Sequence, residues 1–251
     1  MTEGHSVVGV DLSEQMVLRA RGRCARFGQR ATFEQGSVHD SKRKGFDAAV
    51  SRFVVHHAPD PLLLVRAQLA HVRTGGVVVV YDHTTDPRPE AAAWHQAIER
   101  ARDRTHAANP TPGKLADLLA EAGLVQLAVR EEEFELDFDE WFDRGTPSKS
   151  KAEVRAMLLS GTARGFAPTP RADGGLTLRC FREMVRGSSR LDRAVLGHDQ
   201  PPAILSLVCP EAQLDCQVCG QQHLFARDPG HGGQVEDEIR ALADRPGQAG
   251  G

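Results

Sequence analysis

The strongest constraint on the fold is an alternation in the first 81 residues. Short apolar runs rich in β-branched residues take turns with stretches of helical periodicity. Val7–Val10 is such a run, too short and too uniformly apolar for a half-exposed strand, so it reads as a buried strand ending at Asp11. Ser13 follows as a helix cap, with Met16, Ala20, Cys24 and Phe27 on one face and Gly28 past the end. Further strands are expected at 31–35 and 46–51, each closed by a polar or glycine-containing turn. Pro59-Asp60-Pro61 opens a helix with Leu62, Val65, Leu69 and Val72 on one stripe, expected to stop at Gly75-Gly76 before a buried strand at 77–81. Alternating strand and helix predicts an α/β fold: a mostly parallel sheet covered by helices on both faces.

The second half reads differently. Helices are expected at 88–107, from Thr111-Pro112 to Gly123, and at 148–159, with a long strand-like stretch at 125–138. Leu176, Leu178 and Cys180 alternate as in a strand, the last of the sheet. The pattern weakens after Arg190, which suggests a division into a domain at 1–190 and an uncharacterised cysteine-containing tail at 191–251.

Composition excludes several classes. No apolar run approaches the roughly 20 residues that span a bilayer, and the start has no signal-peptide layout, so a cytoplasmic protein without a membrane partner is expected. The formal net charge is −3, with −5 in residues 191–251 and +2 in the rest, which gives no electrostatic footprint for nucleic acid. Five cysteines, an odd number without a disulfide framework, fit a reducing compartment.

Candidate chemistry clusters where strands end. An acid closing a parallel strand can accept hydrogen bonds from vicinal ribose hydroxyls, and Asp11 is so placed; the competing role is a turn or helix cap. Ser37 and Val38, after the next strand, are placed to border an adenine ring or simply to make a turn. His56 and His57 follow a strand and precede the Pro59 turn, at the ligand-facing edge of such a sheet. A histidine there can take a proton from an acceptor, or its ring can hold the turn. His83 and His106 are weaker candidates of the same kind. In the tail, Cys209, Cys216, Cys219 and His223 offer a cramped zinc set, but no second knuckle accompanies Cys216-Gln217-Val218-Cys219. Reduced thiols and no metal are the expectation.

Taken together, VVGVDLSEQM, FEQGS and SRFVVHHAPDP, with the strand VVVVYDH beyond, resemble the class I S-adenosylmethionine-dependent methyltransferases, in particular the small-molecule branch related to quinone biosynthesis. Arg102-Asp103-Arg104-Thr105-His106 is similar to an Asp-Pro-Ser-His element of that branch, with Arg104 in place of proline. The resemblance covers roughly residues 5–190 and implies a Rossmann-like sheet, mostly parallel with an antiparallel last strand. It implies S-adenosylmethionine as cofactor and a small-molecule methyl acceptor, with the oligomeric state open. Asp11 would hold the ribose, Leu12 and Met16 would pack near the adenosine, and Ser37 and Val38 would flank the adenine, Ser37 replacing an acid. Ser51, Arg52 and Phe53 would line the methionine side.

One departure is large. The family's first strand and glycine-rich turn, expected before Val7, are not in the sequence. That strand lies centrally in the family, so its loss is expected to leave unpaired backbone on the strands ending at Asp11 and Ser51. Two functions therefore stand: methyl transfer to a small molecule, or a truncated, non-catalytic relative.

Overall fold

The computed structural model describes residues 6–190 and 203–208. The strands are β1 (Ser6–Asp11), β2 (Ala31–Gln35), β3 (Phe46–Arg52), β4 (Val72–Thr84), β5 (Val125–Asp137), β6 (Phe166–Pro170), β7 (Leu176–Ser188) and β8 (Ala203–Val208). The helices are α1 (Glu14–Cys24), α2 (Pro61–His71), α3 (Pro89–Arg102), α4 (Lys114–Glu121), α5 (Phe138–Asp143) and α6 (Lys151–Leu159). One sheet runs in the order β2-β1-β8-β3-β4-β7-β5, with β6 paired to β7 alone. β1, β2, β3, β4 and β8 pair in parallel, and β7 is antiparallel to its three partners β4, β5 and β6, so the sheet is α/β and mostly parallel, as expected.

Local signals explain most element boundaries. Ser13 caps α1 by accepting from the Met16 N–H, and Met16, Ala20 and Cys24 are buried along its inner face. Asp60 caps α2, with Pro61 in its first turn where no N–H is needed. Ser150 and Glu153 form a reciprocal capping box on α6.

Three features depart from the sequence expectations. α2 ends at His71, not at the glycine pair, because the His71 ring is fixed between the carbonyls of Arg43 and Val38 at 2.6 and 2.7 Å, while Val72 already pairs with Phe46. The short helix α5 was not foreseen; Asp137 caps it, and Phe138, Trp141 and Phe142 carry it into a second core with Ile98, Leu158 and Phe166. Most consequential, the centre of the sheet is not open. Ala203–Val208 lies between β1 and β3 and pairs in parallel with both, so the backbone expected to be unpaired is satisfied. Leu205 is fully buried there, in the main core with Val8, Ala49, Val78 and Leu119. The zinc set considered at Cys209, Cys216, Cys219 and His223 lies outside the described residues.

Candidate functional site

The carboxyl ends of the parallel strands meet at one edge of the sheet, and most of the singled-out residues lie there. Asp11 ends β1 and is 6% exposed. Its Oδ1 accepts the Ser13 N–H at 2.7 Å, and its Oδ2, also buried, has no hydrogen-bond partner. Desolvation raises its carboxyl to about 6, with the Ser13 N–H acting in the opposite direction. A buried carboxylate oxygen aimed at nothing in the protein is costly, and a ribose hydroxyl is the kind of donor that would satisfy it. On this test the residues present fit the adenosyl group of S-adenosylmethionine.

Around Asp11 the other expected cofactor contacts divide. Leu12 is 74% exposed, an apolar side chain standing open beside the acid, whereas Met16 is buried in α1. Gly36 donates to the Asp11 carbonyl at 2.9 Å, which brings the Ser37 turn alongside. Ser37 spends its hydroxyl on the His39 N–H at 3.2 Å. Val38 packs into the main core. Across the sheet, Ser51 is buried and its hydroxyl donates to Gln68 Oε1 of α2 at 3.4 Å. Arg52 lays its guanidinium over the Phe53 ring at 4.5 Å. Phe53 adopts a left-handed backbone with φ 55°, unusual for an aromatic residue, and its ring stacks on His83 at 4.3 Å. Non-glycine residues held in this region concentrate at functional sites.

The histidine pair is split by its surroundings. His56 is 2% exposed, and its Nδ1 lies 2.5 Å from Oδ1 of Asp82, which is fully buried at the end of β4. The His56 backbone N–H also donates to Asp82 Oδ2 at 3.2 Å. Burial would raise the Asp82 carboxyl, but the His56 charge and hydrogen bond, with His83 beside it, outweigh that and hold it below the ordinary carboxylate range. A carboxylate only accepts, so the Nδ1 that faces Asp82 carries a proton. His57 Nδ1 instead lies 3.0 Å from the Thr105 hydroxyl and 3.1 Å from its carbonyl.

The 103–109 loop is bound closely to this turn. Ala107 and Ala108 both donate to the His56 carbonyl, at 2.8 and 3.1 Å. Asp103, buried, gathers the Thr105 N–H, the Thr105 hydroxyl and the Thr146 hydroxyl on one oxygen. His106 Nε2 bonds Gln96 Oε1 at 2.6 Å, and its ring lies 5.6 Å from that of His56. Asp82 was not singled out from the sequence. Its position, an acid at the end of an apolar strand, is the same signal that drew attention to Asp11. Among the described residues, no group of His, Cys, Asp and Glu side chains is arranged to hold a metal ion.

A family model described as a methyltransferase domain matches residues 2–129. The YafE protein of Escherichia coli K12 is 29% identical over 161 residues, covering 62% of this chain and 78% of that protein. Among solved structures, the YcgJ protein of Bacillus subtilis superposes with a TM-score of 0.66 at 18% identity, over 75% of this chain and 93% of that one. The BH2331 protein of Bacillus halodurans C-125 gives 0.63 at 19% identity, over 76% and 94%. These two structural likenesses bear on the fold.

Proposed function

Because the chain belongs to the methyltransferase-domain family, the class I enzymes that use S-adenosylmethionine, we propose that it methylates a small molecule whose accepting atom must lose a proton, with His56 as the base. The observation that carries this proposal is the His56–Asp82 pair, buried at the strand edge where Asp11 presents its unpartnered oxygen. The cofactor supplies a methyl group already activated on a sulfonium, so the protein's task is positioning and proton removal.

Each residue then has a distinct task. Asp11 Oδ2 accepts from the ribose, with Leu12 and Met16 packing near the adenosyl group. Ser37 and Val38 shape the adenine side through their backbone turn, since their side chains are engaged elsewhere. Ser51, Arg52 and Phe53 form the wall on the methionine side. Asp82 fixes the His56 tautomer and stabilises its protonated form once it has taken the acceptor's proton. His57 was expected to share the role of base; its bonds to Thr105 favour a tethering role, holding the 103–109 loop over the site.

Acceptors with a weakly acidic proton, such as phenols and activated carbon acids, suit an imidazole base near neutral pH. The cytoplasm is the proposed location; among the described residues no helix is long and apolar enough to cross a membrane. The test follows formation of S-adenosylhomocysteine from S-adenosylmethionine across a panel of phenols, carbon acids and amines. Turnover on a protic acceptor that His56→Gln lowers by roughly 100-fold supports the assignment. Turnover insensitive to that change removes His56 from the chemistry.

A further inference from the structure

The sheet order places a single strand between the two halves of the site. β1 and β2 carry Asp11 and the Ser37 turn; β3 and β4 carry Arg52, Phe53, His56 and Asp82. Among the described residues, β8 alone is hydrogen-bonded to both halves. Its register is continuous on each side. Leu205 pairs with Val8 and Ala49, and Leu207 with Val10 and Ser51. Val208 pairs with Arg52, one residue beyond the Val10–Leu207 pair, so the carboxyl end of β8 emerges between Asp11 and Arg52. Neighbouring strands lie about 4.8 Å apart, so β8 sets a separation of roughly 10 Å between the strand that ends in the ribose acceptor and the strand that leads to the base.

We propose that residues 203–208 complete the cofactor site from the far end of the chain. They hold the central place in the sheet, and docking of β8 and binding of S-adenosylmethionine form one linked equilibrium. This inference rests on the cofactor edge proposed above. Its physical basis is that a strand paired on both sides cannot leave without exposing two edges and separating Asp11 from Arg52. A ligand that touches both halves then binds only the docked form, and linkage makes the effect reciprocal.

Hydrogen exchange on the full chain, with and without S-adenosylhomocysteine, reads this directly, and calorimetry on the same samples establishes whether the ligand binds. Amides of 203–208 should be protected without ligand and should slow about 100-fold further at a ligand concentration 100 times its dissociation constant. Two substitutions give an independent measure. Leu205 of β8 and Leu178 of β7 are both fully buried, but Leu178 belongs to the second core and to neither of the two strands that β8 joins. Leu205→Ala should weaken ligand binding at least 10-fold, and Leu178→Ala, which leaves β8 and its two pairings intact, should keep it within roughly 2-fold. If the ligand binds while 203–208 exchange like free chain or ignore it, or if the two substitutions weaken binding equally, the inference is overturned and the cofactor site stands. If the wild-type chain gives no binding heat, the cofactor assignment itself fails and the inference falls with it.

Discussion

Replacing Asp11 by Asn should make the protein more stable and a poorer cofactor binder at once. The Asp11 carboxyl is raised from 3.8 to about 6, by burial first, so at neutral pH the folded state holds a charge it would rather not hold. A shift of about two units corresponds to about 3 kcal/mol. The sign follows from linkage: a carboxyl whose folded value lies above its unfolded value favours folding fully below 3.8 and loses that contribution as pH rises through 6. Asn keeps an oxygen for the Ser13 N–H and removes the charge. Allowing for the amide's own burial, a gain of about 1–2 kcal/mol is expected at pH 7.5, or a melting temperature higher by about 2–8 °C in a chain of this size. The gain should shrink toward zero near pH 4, where the wild-type carboxyl is protonated as well. Calorimetry with S-adenosylhomocysteine at pH 7.5 should show affinity reduced by about 10-fold or more, the loss expected for a charge-assisted hydrogen bond. A variant that melts lower at pH 7.5, shows the same gain at both pH values, or binds as tightly as wild type would refute the assignment of the buried oxygen.

Asp82→Asn leaves the shape but removes the charge that faces His56, so turnover should fall and the pH–rate profile should move to lower pH, with cofactor affinity unchanged. Stopped-flow rates across pH 5–9 (roughly the range in which an imidazole titrates) check it, and an unmoved profile would reduce Asp82 to packing. His57→Gln should keep most of the turnover in the folded protein and lower its melting temperature, whereas His56→Gln should lose most of the turnover and also melt lower, because the buried Asp82 carboxylate loses its partner; both are read on the same preparations. Gly165→Ala should destabilise by about 1–3 kcal/mol in urea, because a Cβ there would lie 2.1 Å from the Thr84 carbonyl oxygen, a backbone atom that cannot rotate away. Cys24 and Cys180 are buried, and burial pushes the Cys180 thiol well above its ordinary value, so neither should react with a thiol reagent until the protein unfolds.

Local rules account for what the sequence made legible. Ser13 and Asp60 mark helix starts because a side-chain oxygen one position before a helix has an N–H to accept, wherever that helix later packs. Gly28 marks the end of the first helical stretch because its φ of 56° suits glycine. Asp11 and the His56–His57 turn could be placed at the ligand edge because a parallel α/β sheet presents its carboxyl ends there. What was hidden is long-range. His56 and Asp82 are 26 residues apart and meet only because β3 and β4 pair in register. The run Ala203–Val208 is apolar and bounded by Pro201-Pro202 and Pro210, a usable strand signal, but nothing local says that its partners are Val7–Val10 and Ala48–Arg52. The end of α2 was misplaced for a similar reason: the His71 ring is held by the carbonyls of Val38 and Arg43, brought in from a distant loop.

A crystal structure of the full chain with S-adenosylhomocysteine tests the central claim most directly. The account predicts a ribose hydroxyl within hydrogen-bond distance of Asp11 Oδ2, and the ligand's sulfur at the carboxyl ends of β8 and β3, on the side facing His56. Ligand bound away from that edge, or Asp11 Oδ2 still without a partner beside a bound ligand, would contradict it.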